Sequence, residues 1–285
     1  VCSSDLIFWD LNPSKPKHWV YTDYIDNYQK KQNKGELVGG YNYQHFTIFD
    51  NINLTEQRIK EIVSQYDSSS IWYLRDIEGK RMIAEGLIYR AFAENNKKYF
   101  IPLNEAKQLL YEHIQIGVDF GGNESKHAFV ATGITARYKH LIALMSEKHN
   151  ADIDPDELED KYVKFANRVL NTFKRVDRTY ADSAEQVLIR GLKSKGRKER
   201  LNIVIRNSIK NPINDRIRLV QSLIAQDRFY YTEQSETVKE ALNEAVWDES
   251  DDQEIKRLDD GTSDIDTLDA FEYSFERYLR QLMRK

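Results

Sequence analysis

The sequence predicts an α/β fold in which a mixed sheet is flanked by helices, and three observations point there. Residues 114–119, 128–134 and 138–145 are apolar, β-branched runs separated by short breaks, the pattern of an antiparallel meander. From residue 154 to the end, helical periodicity alternates with short extended runs. The chain is also long enough: its 285 residues suggest one large domain or two smaller ones at roughly 100–200 residues each. A chain of about 300 residues hides about three-quarters of its unfolded surface, enough for a real core.

Taken in order, Val1-Cys2-Ser3-Ser4-Asp5-Leu6 reads as one frame of a widely used sequencing adapter and is set aside, with the native chain expected to start near Ile7. Residues 7–10 read as the end of a buried strand broken at Asn12-Pro13 and Pro16, and residues 19–22 and 41–49 as two more strands. Thr55 caps a helix over 56–66 with Ile59, Ile62 and Val63 on one face. Ser68-Ser69-Ser70 is a loop, residues 71–74 open a partly helical stretch, and 82–92 read as strand and connector. A domain boundary is expected between about 87 and 111, and is set at 90. Strand 114–119 then ends in Phe120-Gly121-Gly122, and the next two strands complete the meander. Asp154-Pro155 opens a helix with Leu158, Tyr162, Phe165, Val169 and Leu170 at helical spacing. A fourth strand spans 178–182, Ser183 caps a helix to 189, and a fifth strand spans 201–205. Pro212 opens a helix carrying Ile213, Ile217, Val220 and Ile224; 229–232 is extended, 233–246 helical, and Asp264 caps a last helix to 282. Three strands, then helix, strand, helix, strand, helix is the order of a ribonuclease-H-like fold.

Composition excludes several classes. No apolar run approaches the ~18–20 residues that span a bilayer, and no basic start followed by an apolar stretch marks a signal peptide. A single cysteine, Cys2, excludes a disulfide scaffold and a zinc-cysteine cluster. A soluble, intracellular, globular protein without a membrane partner is expected. The net charge of −4 advertises no global attraction to nucleic acid, but the charges are unevenly spread. Arg190, Lys193, Lys195, Arg197, Lys198 and Arg200 crowd one segment, and Asp248, Glu249, Asp251, Asp252, Glu254, Asp259, Asp260 and Asp264 another. Each reads either as a solvated stretch or as part of a site.

Asp119 closes an apolar strand before a glycine turn, and Asp182 closes the fourth strand. If those strands are neighbours, both carboxylates emerge at one edge. Asp266 and Asp269, three apart on the last helix, share a face. Four converging carboxylates would repel unless a cation neutralised them, and hard oxygens suit Mg²⁺ or Mn²⁺. Two such ions can activate water and stabilise the leaving oxygen of a phosphodiester. Asp182 reads equally as a helix cap, and Asp266 and Asp269 as residues favouring the positive end of their helix. His113 and His127 read as structural. Asp119-Phe120-Gly121-Gly122 also resembles the phosphate-binding turn of sugar kinases, but after Gly133 only Gly191, Gly196 and Gly261 remain for the further loops such an enzyme needs. No Gly-x-x-x-x-Gly-Lys-Ser/Thr occurs.

These residues resemble the large terminase subunit of tailed bacteriophages. Residues 116–122 (Ile-Gly-Val-Asp-Phe-Gly-Gly) look like the family's first catalytic strand, and Tyr180-Ala181-Asp182-Ser183-Ala184 like its second acidic motif. Asp266-Thr267-Leu268-Asp269-Ala270-Phe271-Glu272-Tyr273 looks like the terminal-helix motif, often His-x-x-Asp-Ala-x-Arg-Tyr, with Asp266 in place of the histidine and Glu272 in place of the arginine. Asn12-Pro13 followed by His18-Trp19 resembles the motif coupling ATP hydrolysis to DNA movement. Gly79 with residues 83–89 resembles the segment joining ATPase to nuclease.

The resemblance implies that residues 1–90 are the C-terminal part of an ATPase domain with its connector, and 91–285 a ribonuclease-H-like nuclease domain. It implies metal-dependent endonucleolytic cutting of concatemeric double-stranded DNA during genome packaging. Asp119, Asp182 and Asp269 would hold two Mg²⁺ or Mn²⁺ ions, with Asp266 as an additional ligand candidate. ATP would be used only by the full-length protein. Further implied partners are the portal protein and the small terminase subunit, with assembly as an oligomer on the portal in the host cytoplasm. Lys193, Lys195, Arg197, Lys198 and Arg200 are expected on a loop or hairpin at the sheet's periphery, meeting DNA phosphates. Alternatives from other classes are a non-cleaving DNA- or portal-binding module and a sugar-kinase-like phosphotransferase.

Overall fold

The computed structural model describes residues 8–14, 16, 18–37, 41–121, 125–250, 255–261 and 263–284. The adapter-like start, Ile7, Gly122, Asp251, Asp252 and Glu254 lie outside the described residues. The chain divides into two units, Val1–Ala84 and Glu85–Lys285. The division falls ahead of the expected position because the segment after it is already tied into the second unit. Ile88 donates its backbone N–H to Ala245, and its carbonyl accepts from the Gln221 side chain. No helix among the described residues is long and apolar enough to cross a membrane.

The first unit is helical where it is regular. A wide-turned helix over Val20–Ile25 runs into α1 (Asp26–Asn33), and α2 spans Glu56–Val63. Thr55 caps α2 as expected, accepting the Arg58 N–H at 3.2 Å. Among the described residues the strands expected at 7–10, 19–22, 41–49 and 82–92 do not form, and in the last of these Leu87, already in the second unit, makes an isolated bridge to Val246. Val20, Tyr21 and Ile25 are buried together on one side of a helix instead. Residues 41–47 carry no strand pairing, and Thr47 then caps a single turn over Ile48–Asp50. Arg81 ties this unit together, lying 4.0 Å from the Tyr21 ring centroid and 2.8 Å from Asp26. Asn12 and Pro13 sit outside any helix or strand of this unit.

The second unit opens with α3 (Arg90–Glu94) and α4 (Leu103–Ala106), then forms the meander β1 (Tyr111–Asp119), β2 (His127–Thr135) and β3 (Leu141–His149). There follow α5 (Pro155–Phe173), β4 (Arg178–Ala181), α6 (Gln186–Lys198), β5 (Val204–Asn207), α7 (Ile213–Ala225), β6 (Phe229–Tyr231) and α8 (Glu236–Glu244). The chain ends with α9 (Ile265–Phe275) and α10 (Leu279–Met283), so the last helix is broken at Glu276 rather than continuous. The sheet order is β5-β4-β1-β2-β3-β6. β1, β2 and β3 pair antiparallel; β4 lies parallel to β1, β5 to β4 and β6 to β3. This is the mixed α/β sheet that the sequence predicts.

Side-chain alternation divides the sheet into two faces. Ile114, Ile116 and Val118 of β1 pack with Leu158, Tyr162 and Phe165 of α5 and with Ile189 and Leu192 of α6. Each such side chain removed from water stabilises the fold by about 1.5–3 kcal/mol. Gln115, Gly117 and Asp119 take the other face, which α9 covers. Thr132 and Ser274 hydroxyls meet there at 2.8 Å, and Gln115 donates to the Tyr278 hydroxyl at 3.0 Å. Gly117 is where the helix presses closest: a Cβ on it would stand 1.7 Å from the carbonyl oxygen of Ala270. Only glycine admits so near an approach.

Candidate active site

The parallel pairing of β1 with β4 places Gly117 beside Tyr180 and Val118 beside Ala181. One residue further, Asp119 and Asp182 leave the same end of adjacent strands on the same face, the face covered by α9. The Asp182 N–H continues the ladder by donating to Val118 at 3.0 Å. α9, seated on Gly117 through Ala270, brings Asp269 to this end. Its N-terminus is fixed by Asp264, whose carboxylate accepts the Thr267 N–H at 3.1 Å and pairs with Lys148 at 3.0 Å.

Asp119 is 7% exposed, and among the described residues none donates a hydrogen bond to it. Burial pushes its carboxyl well above the usual carboxylate range, and the charges of Asp269, Asp182 and Asp266 push it further, against a smaller pull from Lys210. The other three aspartates singled out in the sequence are therefore within electrostatic reach of Asp119.

The other three aspartates already have partners. Asp182 accepts the Ala184 N–H at 2.9 Å and pairs with Lys210 at 2.5 Å. Asp269 pairs with Arg257 at 2.8 Å and Arg216 at 3.2 Å. Asp266 accepts the Lys126 N–H at 2.7 Å; burial, with Asp264, Asp259 and Asp269 nearby, raises its carboxyl despite that bond. Among the described residues no three acidic, histidine or cysteine side chains are drawn together into a metal-holding group. Intrinsic cations hold Asp182 and Asp269, whereas among the described residues Asp266 is met by a backbone N–H and Asp119 by no ion pair.

Near this end the sequence reading assigns no role to Arg216, Arg257, Lys210 or Glu276, and marks Glu272 only as a departure from the terminal-helix motif. Glu272 is fully buried between Arg216 (2.8 Å) and Arg257 (3.1 Å), so these two arginines bridge it to Asp269. Burial pushes the Glu272 carboxyl up to about 7 against both guanidiniums. Lys210 and Glu276 complete the set. The spacing of Asp266, Asp269, Glu272 and Glu276 is a legible signal, since acidic residues three and four apart share one helix face. Arg216, Arg257 and Lys210 carry no such signal.

Arg257 stands on the return limb of the acidic segment. Trp247 bridges to Arg257, and Leu258 donates to Val246. Of the acidic run itself, Asp259 and Asp264 act on Asp266.

The basic run does not form a loop or hairpin. Lys193, Lys195, Arg197 and Lys198 lie on α6, with Arg200 just beyond it, because Ile189, Leu192 and Gly196 bury one helical face. Since β4 and β5 are parallel, α6 runs back between them. It carries these cations toward the opposite end of the sheet from Asp119 and Asp182, on the α5 face. Lys195 is engaged there by Asp160 at 2.5 Å.

Over 92% of its length the chain matches the large terminase from a thermophilic bacteriophage, with a TM-score of 0.70 at 22% identity. The fold is that of a phage large terminase. The complex of that same phage protein with ADP matches 96% of the chain, with a TM-score of 0.70 at 21% identity. The chain spans 59% and 61% of the length of these two structures. The nuclease domain of the bacteriophage SPP1 large terminase, solved with bound Mn, is a looser match: TM-score 0.42 at 20% identity, covering 59% of this chain and 87% of that one. No family model and no curated protein sequence matches.

Proposed function

We propose that this chain is part of a DNA-packaging large terminase subunit, and that its second unit is a metal-dependent endonuclease cutting concatemeric double-stranded DNA. One observation supports the reading: Asp119, Asp182 and Asp269 lie toward one end and one face of a terminase-like sheet, with Asp119 buried and lacking a donor among the described residues. A buried carboxylate surrounded by carboxylates fits a divalent cation better than any neutral ligand, because only positive charge offsets the desolvation and the repulsion together.

Asp119, Asp182 and Asp269 would hold the ions, two Mg²⁺ or Mn²⁺, with Asp266 held back on the Lys126 N–H. When bound, such ions supply an activated water and stabilise the leaving oxygen. The chain itself positions the ligands: β1 and β4 set two of them side by side, and Arg216 and Arg257 fix the third by pairing with Asp269. Under this reading water would attack phosphorus as the P–O bond to the leaving oxygen breaks, and no side chain need form a covalent intermediate. The first unit is then the end of an ATPase domain with its connector, and Asn12-Pro13 its coupling motif. ATP use, the portal and small-subunit partners, oligomerisation on the portal and the bacterial cytoplasm belong to the full-length protein under this reading.

The test is nicking of supercoiled plasmid with Mn²⁺. Cutting by the chain that is lost in Asp119→Ala supports the reading. DNA binding without cutting by either protein would make it a non-cleaving module. Clear ATP turnover by this chain would count against an ATPase remnant that lacks the phosphate-cradling loop.

A further inference from the structure

The turn between β5 and α7 holds a cation on one of the three aspartates, and a buried carboxylate holds the turn. Glu276, 1% exposed, accepts three consecutive backbone N–H groups: Ile209 at 2.6 Å, Lys210 at 3.1 Å and Asn211 at 2.9 Å. Its own carbonyl accepts from the Asn211 side chain at 3.0 Å. Lys210 has φ 56°, a left-handed conformation that a lysine keeps only where its surroundings over-determine it. The clamped turn aims its ammonium at Asp182, 2.5 Å away.

The two ends of that ion pair are unequally free. The Lys210 side chain is 40% exposed and the Asp182 side chain 14%, so the ammonium can withdraw into water while the carboxylate stays. Asp269 is different: its partners Arg216 and Arg257 are 4% and 2% exposed and are shared with buried Glu272. That network is buried, whereas the Lys210 side chain is partly exposed.

We propose that Lys210 is a latch, an intrinsic cation that neutralises Asp182 until a divalent ion displaces it, and that Glu276 is the positioning residue that aims it. The latch rests on the reading of Asp119, Asp182 and Asp269 as metal ligands. A latch closed about nine-tenths of the time weakens the apparent metal affinity about tenfold.

Calorimetric titration of Mn²⁺ into the metal-free chain tests this, with Asp119→Ala, Lys210→Gln, Lys210→Arg and Glu276→Gln alongside. Lys210→Gln should bind Mn²⁺ about three- to tenfold tighter than the unaltered chain, and Lys210→Arg should restore the parental value. Glu276→Gln, which loosens the turn, should move toward Lys210→Gln; parental affinity there would remove Glu276 from the proposal. The Lys210 pair decides the rest even if Glu276→Gln fails to fold. Unchanged or weaker binding in Lys210→Gln, with binding lost in Asp119→Ala, would overturn the latch alone. No binding by the unaltered chain, or binding untouched by Asp119→Ala, would overturn the metal-site reading and the latch with it.

Discussion

Replacing Gly117 by alanine measures how closely α9 is seated on β1. The added Cβ would stand 1.7 Å from the Ala270 carbonyl oxygen, 2.8 Å from its carbon and 2.9 Å from the Ser274 nitrogen. All three are backbone atoms of a buried helix, so no side chain can swing aside. An ordinary contact of about 3.2 Å is restored only if strand and helix part by about 1.5 Å. Overpacking costs about 1–3 kcal/mol, occasionally more, and a backbone obstacle puts this case at roughly 3 kcal/mol. Asp269 directly precedes Ala270, so its carboxylate moves with the helix, away from Asp119 and Asp182. A misplacement of about 1 Å can cost 10²-fold in rate, so Mn²⁺-dependent nicking should fall at least about 10²-fold. Urea unfolding followed by circular dichroism, run beside the plasmid assay, reads both effects. Gly196→Ala is the control: its Cβ would meet nothing nearer than Leu201 at 3.9 Å, and in a helix interior it should stabilise by about 0.5–1 kcal/mol. A Gly117→Ala chain within about 0.5 kcal/mol of the parent and cutting at the parental rate would refute the packing of α9 that places Asp269.

Other outcomes follow from the charges. Asp119 holds its proton in the folded chain above the pH at which the unfolded chain releases it, from 3.8 upward. Its contribution to stability is therefore greatest at low pH and is lost as pH rises toward the raised folded value. Thermal melts of the metal-free protein should show this decline; Asp119→Asn should flatten it, and a decline of equal steepness in that variant would contradict the assignment. Arg257→Met strips one partner from both Glu272 and Asp269 and should cost about 3–5 kcal/mol in urea unfolding, as loss of one member of a buried ion pair does; a change under about 1 kcal/mol would show that the pairs are not formed. Changing Lys193, Lys195, Arg197 and Lys198 together to alanine should leave the slope of log DNA affinity against log salt unchanged, because α6 carries them to the far end of the sheet. A slope flattened by several units, at about one per lost phosphate contact, would place DNA on α6 after all.

Much of the second unit was legible in the sequence because its signals are local. Apolar, β-branched runs between short breaks mark β1 to β3, helical spacing marks α5 and α7, and Thr55 and Asp264 cap the helices they precede. Asp119 and Asp182 were visible because each follows or closes a strand, the first of them apolar, and strand parity then puts both on one face. Local signals misled in the first unit. Trp19-Val20-Tyr21-Thr22 is aromatic and β-branched enough for a strand, but a strand needs a partner and no sheet forms among the described residues there. The basic run hid a helix because Ile189, Leu192 and Gly196 form a sparse apolar face among many charges. Tertiary structure alone decided how the charges are matched. Arg216 meets Asp269 across 53 residues and Glu276 clamps the 209–211 turn across 65 to 67. Such pairing depends on which buried faces of distant helices are pressed together, and periodicity along the chain carries no record of that.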